Sequence, residues 1–505
     1  KHEQGAAFMA GGYARAGRRP GACIATAGPG ATNLVTGIAN AYADRLPVLA
    51  LTGETSTTIF GRGGLQESAG EGGTIDQCAL FESITRYAKL VERTDYLGAV
   101  LNQTTQALLG REPGPVLLSV PFNVQKESVD DAALDHIHWP LDRAAPTAPA
   151  FIPGLEQLAT LVRDARRPVV LAGYGCIAAN AHAPLAEFAE RFHIPVTTSL
   201  KAKGVITEGS PWSLGCLGVT SNGDARAYLV EHADLVLVLG ASFNERTSSV
   251  WDARLTQGKR LVQIDADPSR LGRTFRPDVA LCGDIAVMLA ALIRELADMP
   301  PKSDAAYHAH RGAPPSVIRN DDAQFALLRA FYQRLARHFP QRARVFDDNI
   351  VFAQTYYDVS ERNHYFPNTG ISSLGHALPA ALGAQCVEAA PTFSILGDAG
   401  FQMCGMELMT AVNHRIPLNV VVINNGTLSP IRKNQFQLYG ERYTDCDFRN
   451  PDFALFAESC GVAHWRVASE ADLDPLFARA DLETGLNLIE ILLDKHAFPR
   501  YLSAR

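Results

Sequence analysis

The sequence predicts an α/β protein made of three doubly wound parallel sheets. Short apolar runs recur along the chain and end in small or polar residues, as buried parallel strands do before a loop. Amphipathic stretches that predict helices separate these runs. The length agrees with this fold class, because 505 residues at about 150 per domain correspond to about three domains.

Three blocks divide the chain, and each alternates predicted strands with predicted helices. The blocks span residues 1–138, 154–299 and 323–505. A passage rich in Pro and Ala, residues 139–153, and a mostly polar run, residues 300–322, are the predicted linkers. A helix is predicted after Gly30. The apolar runs that predict strands begin at Cys23, Pro47, Pro115, Pro168, Ile194, Ala233, Arg260, Phe393 and Leu418.

The composition is that of a large soluble enzyme. Hydrophobic residues make up 47% and charged residues 20% of the chain. A net charge of −7 with no dense basic run argues against a nucleic-acid partner. No apolar stretch reaches the ~18 residues that a membrane span needs, so no membrane partner is expected. The nine cysteines lack metal-binding spacing and predict reduced thiols in the cytoplasm.

The strongest signal for chemistry lies where two predicted strands of the third block end. The first run ends at Gly397-Asp398, and the second ends at Asn424-Asn425, with a helix predicted over 405–414 between them. Parallel strands present their carboxyl ends at one edge of a sheet, so we expect Asp398 and Asn425 to converge. Their oxygens suit a hard cation such as Mg²⁺ on a diphosphate. Turn chemistry alone is the alternative explanation of each pair.

Together these pairs resemble the signature of thiamine diphosphate enzymes. Phe401-Gln-Met, Glu407-Leu and Asn424-Asn-Gly resemble the acetohydroxyacid synthase branch of that family. The resemblance implies that Asp398, Asn425 and the backbone carbonyl of Thr427 bind Mg²⁺ on the cofactor. It places Gly397, Ala399 and Gly400 beside the diphosphate. The family usually has Gly-Asp-Gly-Ser, so Ala399-Gly400 implies that one hydroxyl contact to the diphosphate is missing.

The start of the chain resembles the same family. Lys1-His-Glu-Gln-Gly-Ala-Ala-Phe-Met matches the segment whose glutamate bonds the pyrimidine N1′, and Ala27-Gly-Pro-Gly-Ala-Thr-Asn follows it. The resemblance implies a catalytic role for Glu3, with Gly28 and Gly30 at the cofactor. A solvated charge is the ordinary alternative for a terminal Glu.

The resemblance also assigns the three blocks. Residues 1–138 correspond to the pyrimidine-binding domain, 154–299 to a central nucleotide-binding-like domain and 323–505 to the diphosphate-binding domain. In the family a strand, a helix and a further strand precede this glutamate. The first domain is therefore expected to lack its first few dozen residues.

Two further residues are expected near the cofactor. Gly64-Leu-Gln-Glu-Ser resembles a family segment that makes Gln66 an active-site amide, although a mobile glycine-rich loop is the alternative. Gly370-Ile-Ser-Ser-Leu-Gly-His resembles the segment that places an apolar residue under the bent cofactor, which implies this role for Leu374. An ordinary core leucine would have the same sequence pattern.

The middle block contains candidate contacts to a second cofactor. Glycines at strand ends let backbone amides approach phosphates. FAD as in acetohydroxyacid synthases, another nucleotide, or no ligand are the alternatives left open. The stretches that resemble a FAD cradle are Gly173-Tyr-Gly, Gly215-Cys-Leu-Gly, Gly240-Ala-Ser-Phe, Asp265-Ala-Asp and Gly283-Asp.

The substrate pocket is expected to differ from that of acetohydroxyacid synthases. Their acceptor-lining Trp and Met correspond to Asn434 and Pro430, which predicts a more polar pocket. Phe243-Asn-Glu-Arg matches the segment whose arginine holds the carboxylate of a 2-oxo acid, so Arg246 is the expected anchor. A surface arginine without that role is the alternative.

These residues together predict an acetolactate synthase-like enzyme. It would decarboxylate a 2-oxo acid such as pyruvate and transfer the two-carbon unit to an acceptor carbonyl. The alternatives are acetyl transfer to phosphate, as Arg432-Lys-Asn-Gln resembles a segment of sulfoacetaldehyde acetyltransferases, simple decarboxylation, and an inactive cofactor-binding scaffold. In the family each site lies between two subunits, which implies a homodimer or homotetramer.

Overall fold

The computed structural model contains three parallel sheets with helices packed against them, which confirms the predicted α/β class. It describes residues 1–110, 112–135, 137, 152–221, 223–303, 307–308, 323–360 and 364–499. The two predicted linkers lie mostly outside these residues, so the domain bounds stay predictions. No helix in the described part of the chain has the length and hydropathy that a bilayer crossing requires.

The first sheet has four described strands in the order β1-β2-β4-β3. The strands predicted at Cys23, Pro47 and Pro115 are present, whereas β3 was missed because its four side chains are all only half-buried. The elements are α1 (Glu3–Gly17), β1 (Gly21–Ala25), α2 (Pro29–Ala43), β2 (Val48–Glu54), α3 (Gln77–Glu82), β3 (Tyr87–Leu90), α4 (Leu97–Leu109) and β4 (Val116–Pro121).

The central sheet has six strands in the order β10-β9-β8-β5-β6-β7. All five residues of β5 and of β8 are buried, as expected for strands covered by helices on both faces. The elements are α5 (Leu155–Asp164), β5 (Pro168–Ala172), α6 (Tyr174–Ala178), α7 (His182–Phe192), β6 (Val196–Thr198), β7 (Ser213–Cys216), α8 (Asp224–Glu231), β8 (Leu235–Leu239), β9 (Arg260–Asp265), β10 (Val279–Cys282) and α9 (Ile285–Glu295).

The third sheet also has six strands, in the order β12-β11-β13-β14-β16-β15. After β11 the chain forms β12 at one edge of the sheet and then crosses to the other side of β11 to form β13. The topological switch point therefore lies between β11 and β13. The elements are α10 (Ala326–His338), β11 (Arg344–Asp347), α11 (Ile350–Tyr356), β12 (His364–Pro367), α12 (Ala377–Gln385), β13 (Thr392–Gly397), α13 (Asp398–Cys404), α14 (Leu408–His414), β14 (Leu418–Asn424), α15 (Ser429–Leu438), α16 (Phe453–Cys460), β15 (Ala463–Val467), α17 (Leu473–Arg479) and β16 (Leu486–Leu492).

The helix predicted over 405–414 differs from the structure. Helix α13 begins directly at Asp398, and a 3₁₀ turn over Gly405–Glu407 separates it from α14. The Asp398 carboxylate accepts the N–H of Ala399 at 2.9 Å and so favours a helix start at this residue. At the break, a Cβ on Gly405 would lie 3.0 Å from the Phe401 ring.

Helix α1 of the first block packs closely against α12 of the third block. A Cβ added to Gly12 would overlap the backbone of Ala380, and one added to Gly383 would overlap the backbone of Met9. Met9 and Ala16 pack against the apolar cluster of the third sheet. The two helices therefore meet backbone to backbone, which only glycine permits.

We expect Gly12→Ala to destabilise this contact. The added methyl group has no room, and overpacking a core position costs about 1–3 kcal/mol. The midpoint of thermal unfolding, followed by circular dichroism, should fall.

The matched control is Gly11→Ala, one residue earlier on the same helix. Its Cβ would meet only Leu46 Cδ1 at 3.6 Å, an ordinary contact. Helix propensity favours Ala there by about 1 kcal/mol, so the midpoint should stay or rise. Equal midpoints for the two variants would contradict the proposed role of Gly12.

Candidate active site

Asp398 and Asn425 lie side by side at the carboxyl ends of β13 and β14. The parallel register pairs Gly397 with Ile423, which brings the residues that follow both strands to the same edge. The backbone N–H of Asn425 donates to Asp398 Oδ2 at 3.0 Å. The edge lies next to the switch point between β11 and β13, where α/β sheets bind ligands.

The Asp398 carboxylate is held by four N–H donors. Oδ2 accepts from the backbone of Asn425 and Gly426, the latter at 2.6 Å, and from Asn450 Nδ2 at 2.8 Å. Within the described part of the chain, Oδ1 accepts from Ala399 N alone. The side chain is 1% exposed, and no ion pair of the described residues includes it. A buried carboxylate without a basic partner, with spare capacity on Oδ1, fits a cation ligand.

The carboxamide of Asn425 is oriented by its neighbours. Its Nδ2 donates to Ser429 Oγ at 2.6 Å, and from the residues that the structure describes its Oδ1 accepts one long bond of 3.3 Å, donated by Thr427 N. Thr427 is buried, and its hydroxyl donates to the Cys446 carbonyl at 3.0 Å. The Asn425 amide oxygen is therefore held in place with capacity for a metal ion. No described group of three His, Cys, Asp or Glu side chains forms an alternative metal site.

Glu3 begins α1 and contacts α2, the helix that follows β1. Asn33 Nδ2 donates to Glu3 Oε2 at 3.0 Å. This bond and the backbone N–H of Glu3 itself hold the pKa of the carboxyl below its ordinary value, while partial burial opposes them. A Cβ on Gly30 would lie 2.8 Å from Thr26 Cγ2, which is too close, and at an ordinary contact distance of 3.6 Å from Glu3 Oε1. The sequence alone predicted no function for Asn33.

Gln66 lies on the same loop cluster as Gly28. A Cβ on Gly28, whose φ is +62°, would lie 3.3 Å from Gln66 Cβ, and Thr26 Oγ1 donates to Gln66 Oε1 at 3.3 Å. Gln66 has a φ of +59°, which is uncommon for a residue with a Cβ.

Two glutamates hold this conformation of the loop around Gln66. Glu67 is buried and accepts the N–H groups of Gly61 and Gly64 at 2.5 and 2.7 Å, which lower the pKa of its carboxyl. Glu54 Oε1 accepts the N–H of Ser68 at 3.0 Å, and burial raises the pKa of Glu54. The loop around Gln66 is thus tied through the backbone of Gly61, Gly64 and Ser68.

Glu407 connects the start of α1 in the first block with the third block. Its side chain is 3% exposed, and Oε1 accepts from the backbone N–H of His2 at 3.2 Å. Thr410 Oγ1 donates to Oε2 at 2.6 Å. A carboxylate at the first turn of α1 interacts favourably with the helix dipole. It also links the helix that begins at Glu3 to the third block. No sequence signal reveals this pairing, since its partners are about 400 positions apart.

Leu374 lies beside the Asp398 segment. A Cβ on Gly400 would come within 3.9 Å of Leu374 Cβ, whereas nothing lies within 4 Å of a Cβ on Gly397. Leu374 is 42% exposed, so it is no ordinary core leucine in this chain. Two other apolar side chains are also exposed, Met403 of α13 at 63% and Leu65, next to Gln66, at 91%.

Helix α15 presents Pro430 and Asn434 on one exposed face, because the two residues are four positions apart. Arg432 instead points into the protein. It donates to Asp447 at 2.7 Å, lies over the Tyr443 ring at 3.8 Å and is 3% exposed. The resemblance of Arg432-Lys433 to sulfoacetaldehyde acetyltransferases therefore concerns residues that are buried.

Arg246 lines a cavity of about 400 Å³ between the three blocks. Four basic and two acidic side chains line it: Arg45, Lys201, Arg246, Arg270, Asp44 and Glu245. The remaining walls include Gly240 of the central block and Thr369-Gly370 of the third block. The cavity lies apart from Pro430 and Asn434, which are not among its lining residues.

The strand-end glycines beside this cavity have a packing role. A Cβ on Gly173 or Gly175 would overlap the backbone of Gly240, so these glycines allow β5 and β8 loops to touch. Asp265 accepts the N–H of Asp267 at 2.9 Å, and Asp267 pairs with Arg45 at 2.8 Å. Gly215 has open space around it and a φ of +72°. Backbone packing thus explains the glycines at β5 and β8 without a phosphate.

Three family models of thiamine pyrophosphate enzymes match this chain, in agreement with the geometry of the candidate site. They are the N-terminal TPP binding domain over residues 1–79, the central domain over 155–292 and the C-terminal TPP binding domain over 349–491.

Relatives are similar over nearly the whole chain. An acetolactate synthase of Arthrospira platensis is 31% identical over 99% of this chain and 87% of its own length. A probable acetolactate synthase large subunit of Methanocaldococcus jannaschii is 31% identical over 98% and 85%. An acetolactate synthase large subunit of Corynebacterium glutamicum is 30% identical over 95% and 77%. The chain therefore belongs to the thiamine pyrophosphate enzymes, within which it is acetolactate synthase-like.

Proposed function

We propose that the protein decarboxylates a 2-oxo acid, with pyruvate the expected donor, and transfers the two-carbon unit to an acceptor carbonyl. The observation that carries this proposal is the buried Asp398 beside Asn425, held only by N–H donors at the edge of a parallel sheet. Such a pair suits the Mg²⁺ of a bound diphosphate. The similarity to acetolactate synthases supports the reaction type.

Mg²⁺ would be held by Asp398, Asn425 and the carbonyl of Thr427. Gly397, Ala399 and Gly400 would lie along the diphosphate, with open space above Gly397. Thiamine diphosphate, when bound, supplies a thiazolium that accepts the electron pair released by decarboxylation. The protein's contribution is to bind, orient and desolvate the reactants.

Glu3 would form a hydrogen bond to the pyrimidine N1′ of the cofactor and would thereby assist the transfer of the thiazolium C2 proton. Its carboxylate form is favoured by Asn33, so the residue can accept a bond from a protonated ring nitrogen. Leu374, exposed beside Gly400, would support the bent cofactor, and Gln66 would present its amide to the reacting groups.

The acceptor would be bound by groups from two places. Arg246 offers a guanidinium at the cavity between the blocks, which suits a carboxylate. Pro430 and Asn434 on the exposed face of α15 would line the acceptor side.

Assembly of two chains would complete the site. Glu3 and Gln66 lie in the first block, Asp398 and Leu374 in the third, and exposed apolar side chains border both sets. Burial of such side chains favours association, so a homodimer or homotetramer is the proposed state.

The basic side chains Arg45, Lys201 and Arg270 of this cavity are the proposed contacts of a second cofactor, whereas Arg246 is kept for the acceptor carboxylate. Arginine and lysine side chains suit the diphosphate of FAD. The visible absorbance of flavin in the purified protein separates FAD from another nucleotide or none. A cytoplasmic location remains the expectation from nine free cysteines.

The reaction is tested by incubation of the protein with labelled pyruvate, thiamine diphosphate, Mg²⁺ and a panel of acceptors. We expect release of labelled CO2 and a carboligation product such as acetolactate. Glu3→Gln keeps the size of the side chain but removes the charge. It should still bind the cofactor while exchange of the thiazolium C2 proton slows by about 100-fold.

Several results would contradict the proposal. Acetyl phosphate as the product would indicate acetyl transfer to phosphate, and free acetaldehyde would indicate simple decarboxylation. No turnover with any 2-oxo acid would favour an inactive scaffold. Equal C2 exchange rates in the wild type and Glu3→Gln would remove Glu3 from the proton transfer.

The acceptor preference is expected to be weak for 2-oxobutyrate over pyruvate. A polar amide at Asn434 gains nothing from an extra CH2, whose burial is worth about 0.8 kcal/mol in an apolar pocket. Competition between the two acceptors measures this preference. Asn434→Trp should shift it toward 2-oxobutyrate, and a strong bias toward 2-oxobutyrate already in the wild type would show that other residues close the pocket.

A further inference from the structure

Asn450 lies between the proposed metal ligand Asp398 and the end of β14. Its Nδ2 donates to Asp398 Oδ2 and to Asn424 Oδ1, both at 2.8 Å. Its Oδ1 accepts from Gln402 Nε2 at 2.8 Å. The residue precedes the Pro451-Asp452 start of α16 and is 52 positions from Asp398, so no strand-end pattern identifies it.

The surroundings allow only one orientation of the Asn450 amide. Two acceptors, a carboxylate and a carboxamide oxygen, face Nδ2, and a donor from α13 faces Oδ1. A rotated amide would place its oxygen against Asp398 Oδ2, which would keep only its two backbone donors, and would deprive Asn424 Oδ1 of the Asn450 donor. The position therefore requires a side chain that donates twice, which neither Asp nor an apolar residue can do.

We propose that Asn450 is a positioning residue for the Asp398 carboxylate. With Asn450 and two backbone N–H groups on Oδ2, the carboxylate is rotationally fixed and Oδ1 keeps the free lone pair. Oδ1 is thereby assigned as the metal-binding oxygen. This inference rests on the proposed Mg²⁺ site. It adds a second layer of contacts that orients the ligand before the cation arrives.

Asn450 is itself anchored through Asn424 to the neighbouring strand. Asn424 Nδ2 donates to Glu490 Oε1 at 2.6 Å. Glu490 lies on β16, where it faces His464 Nε2 at 3.3 Å and Arg466 at 3.7 Å. The amide thus joins α13, β14 and, indirectly, β16, so its position is determined by the sheet rather than by its own loop.

The test measures Mg²⁺ affinity without turnover. Calorimetric titration of the apoprotein with Mg²⁺ at fixed thiamine diphosphate would be made for the wild type, Asn450→Leu, Asn450→Ala and Gln402→Ala. Asn450→Leu keeps nearly the same volume and adds no charge. We expect the Kd for Mg²⁺ to rise about 10- to 100-fold in both Asn450 variants, the usual effect of losing an outer-shell partner. Gln402→Ala, at an exposed position, should give a smaller rise.

Asn419→Leu is the matched control. Asn419 is a buried amide on β14, the strand that ends at Asn424. It is hydrogen-bonded to the Leu482 carbonyl at 2.8 Å and to Asn487 at 2.9 Å, and it lies about 16 Å from Asn424 along the strand. Its loss should lower the midpoint of thermal unfolding and leave the Kd for Mg²⁺ unchanged.

The results distinguish failure of the proposed metal site from failure of the positioning role of Asn450. If the wild type binds thiamine diphosphate independently of Mg²⁺, the proposed metal site fails and the role of Asn450 fails with it. If the wild type needs Mg²⁺ but Asn450→Leu and Gln402→Ala bind the metal within twofold of it, only the positioning role is overturned. A rise of the Kd in Asn419→Leu as large as in Asn450→Leu would likewise reduce the effect to general damage of the fold.

Discussion

The backbone contact between α1 and α12 is the constraint on which the candidate site depends. Gly12 and Gly383 let each helix reach the main chain of the other, and Glu407 adds a carboxylate at the first turn of α1. Glu3 begins the first of these helices, and the loop that carries Leu374 leads into the second. The spacing of two helices therefore fixes where the first and third blocks present their functional residues.

Much of the fold was predictable because its strands are buried on both faces. Such strands are apolar without interruption, and β5 and β8 stand out for that reason. The neighbourhood of Asp398 and Asn425 was also predictable, since parallel register brings consecutive strand ends to one edge. Short or half-exposed strands such as β3 have no comparable pattern.

The contacts that complete the site were not predictable from local pattern. Asn33, Glu407 and Asn450 act on residues that lie 30, about 400 and 52 positions away, and each is a common polar residue in a turn or helix. The glycines at the ends of β5 and β8 are easily recognised in the sequence, but their cause is ambiguous. A phosphate-binding loop and a close approach of two backbones require the same residue, and only coordinates separate the two causes.

The way Asp398 is held has a consequence for the binding and removal of the metal. Its partners are fixed dipoles from the backbone and one amide, none of which carries a charge that must leave when a cation arrives. Loading of the proposed Mg²⁺ would then require no change in these contacts, in contrast to small domains that fold only around their ion. The site would be formed before the cation arrives, so a chelator would remove the metal without unfolding the protein.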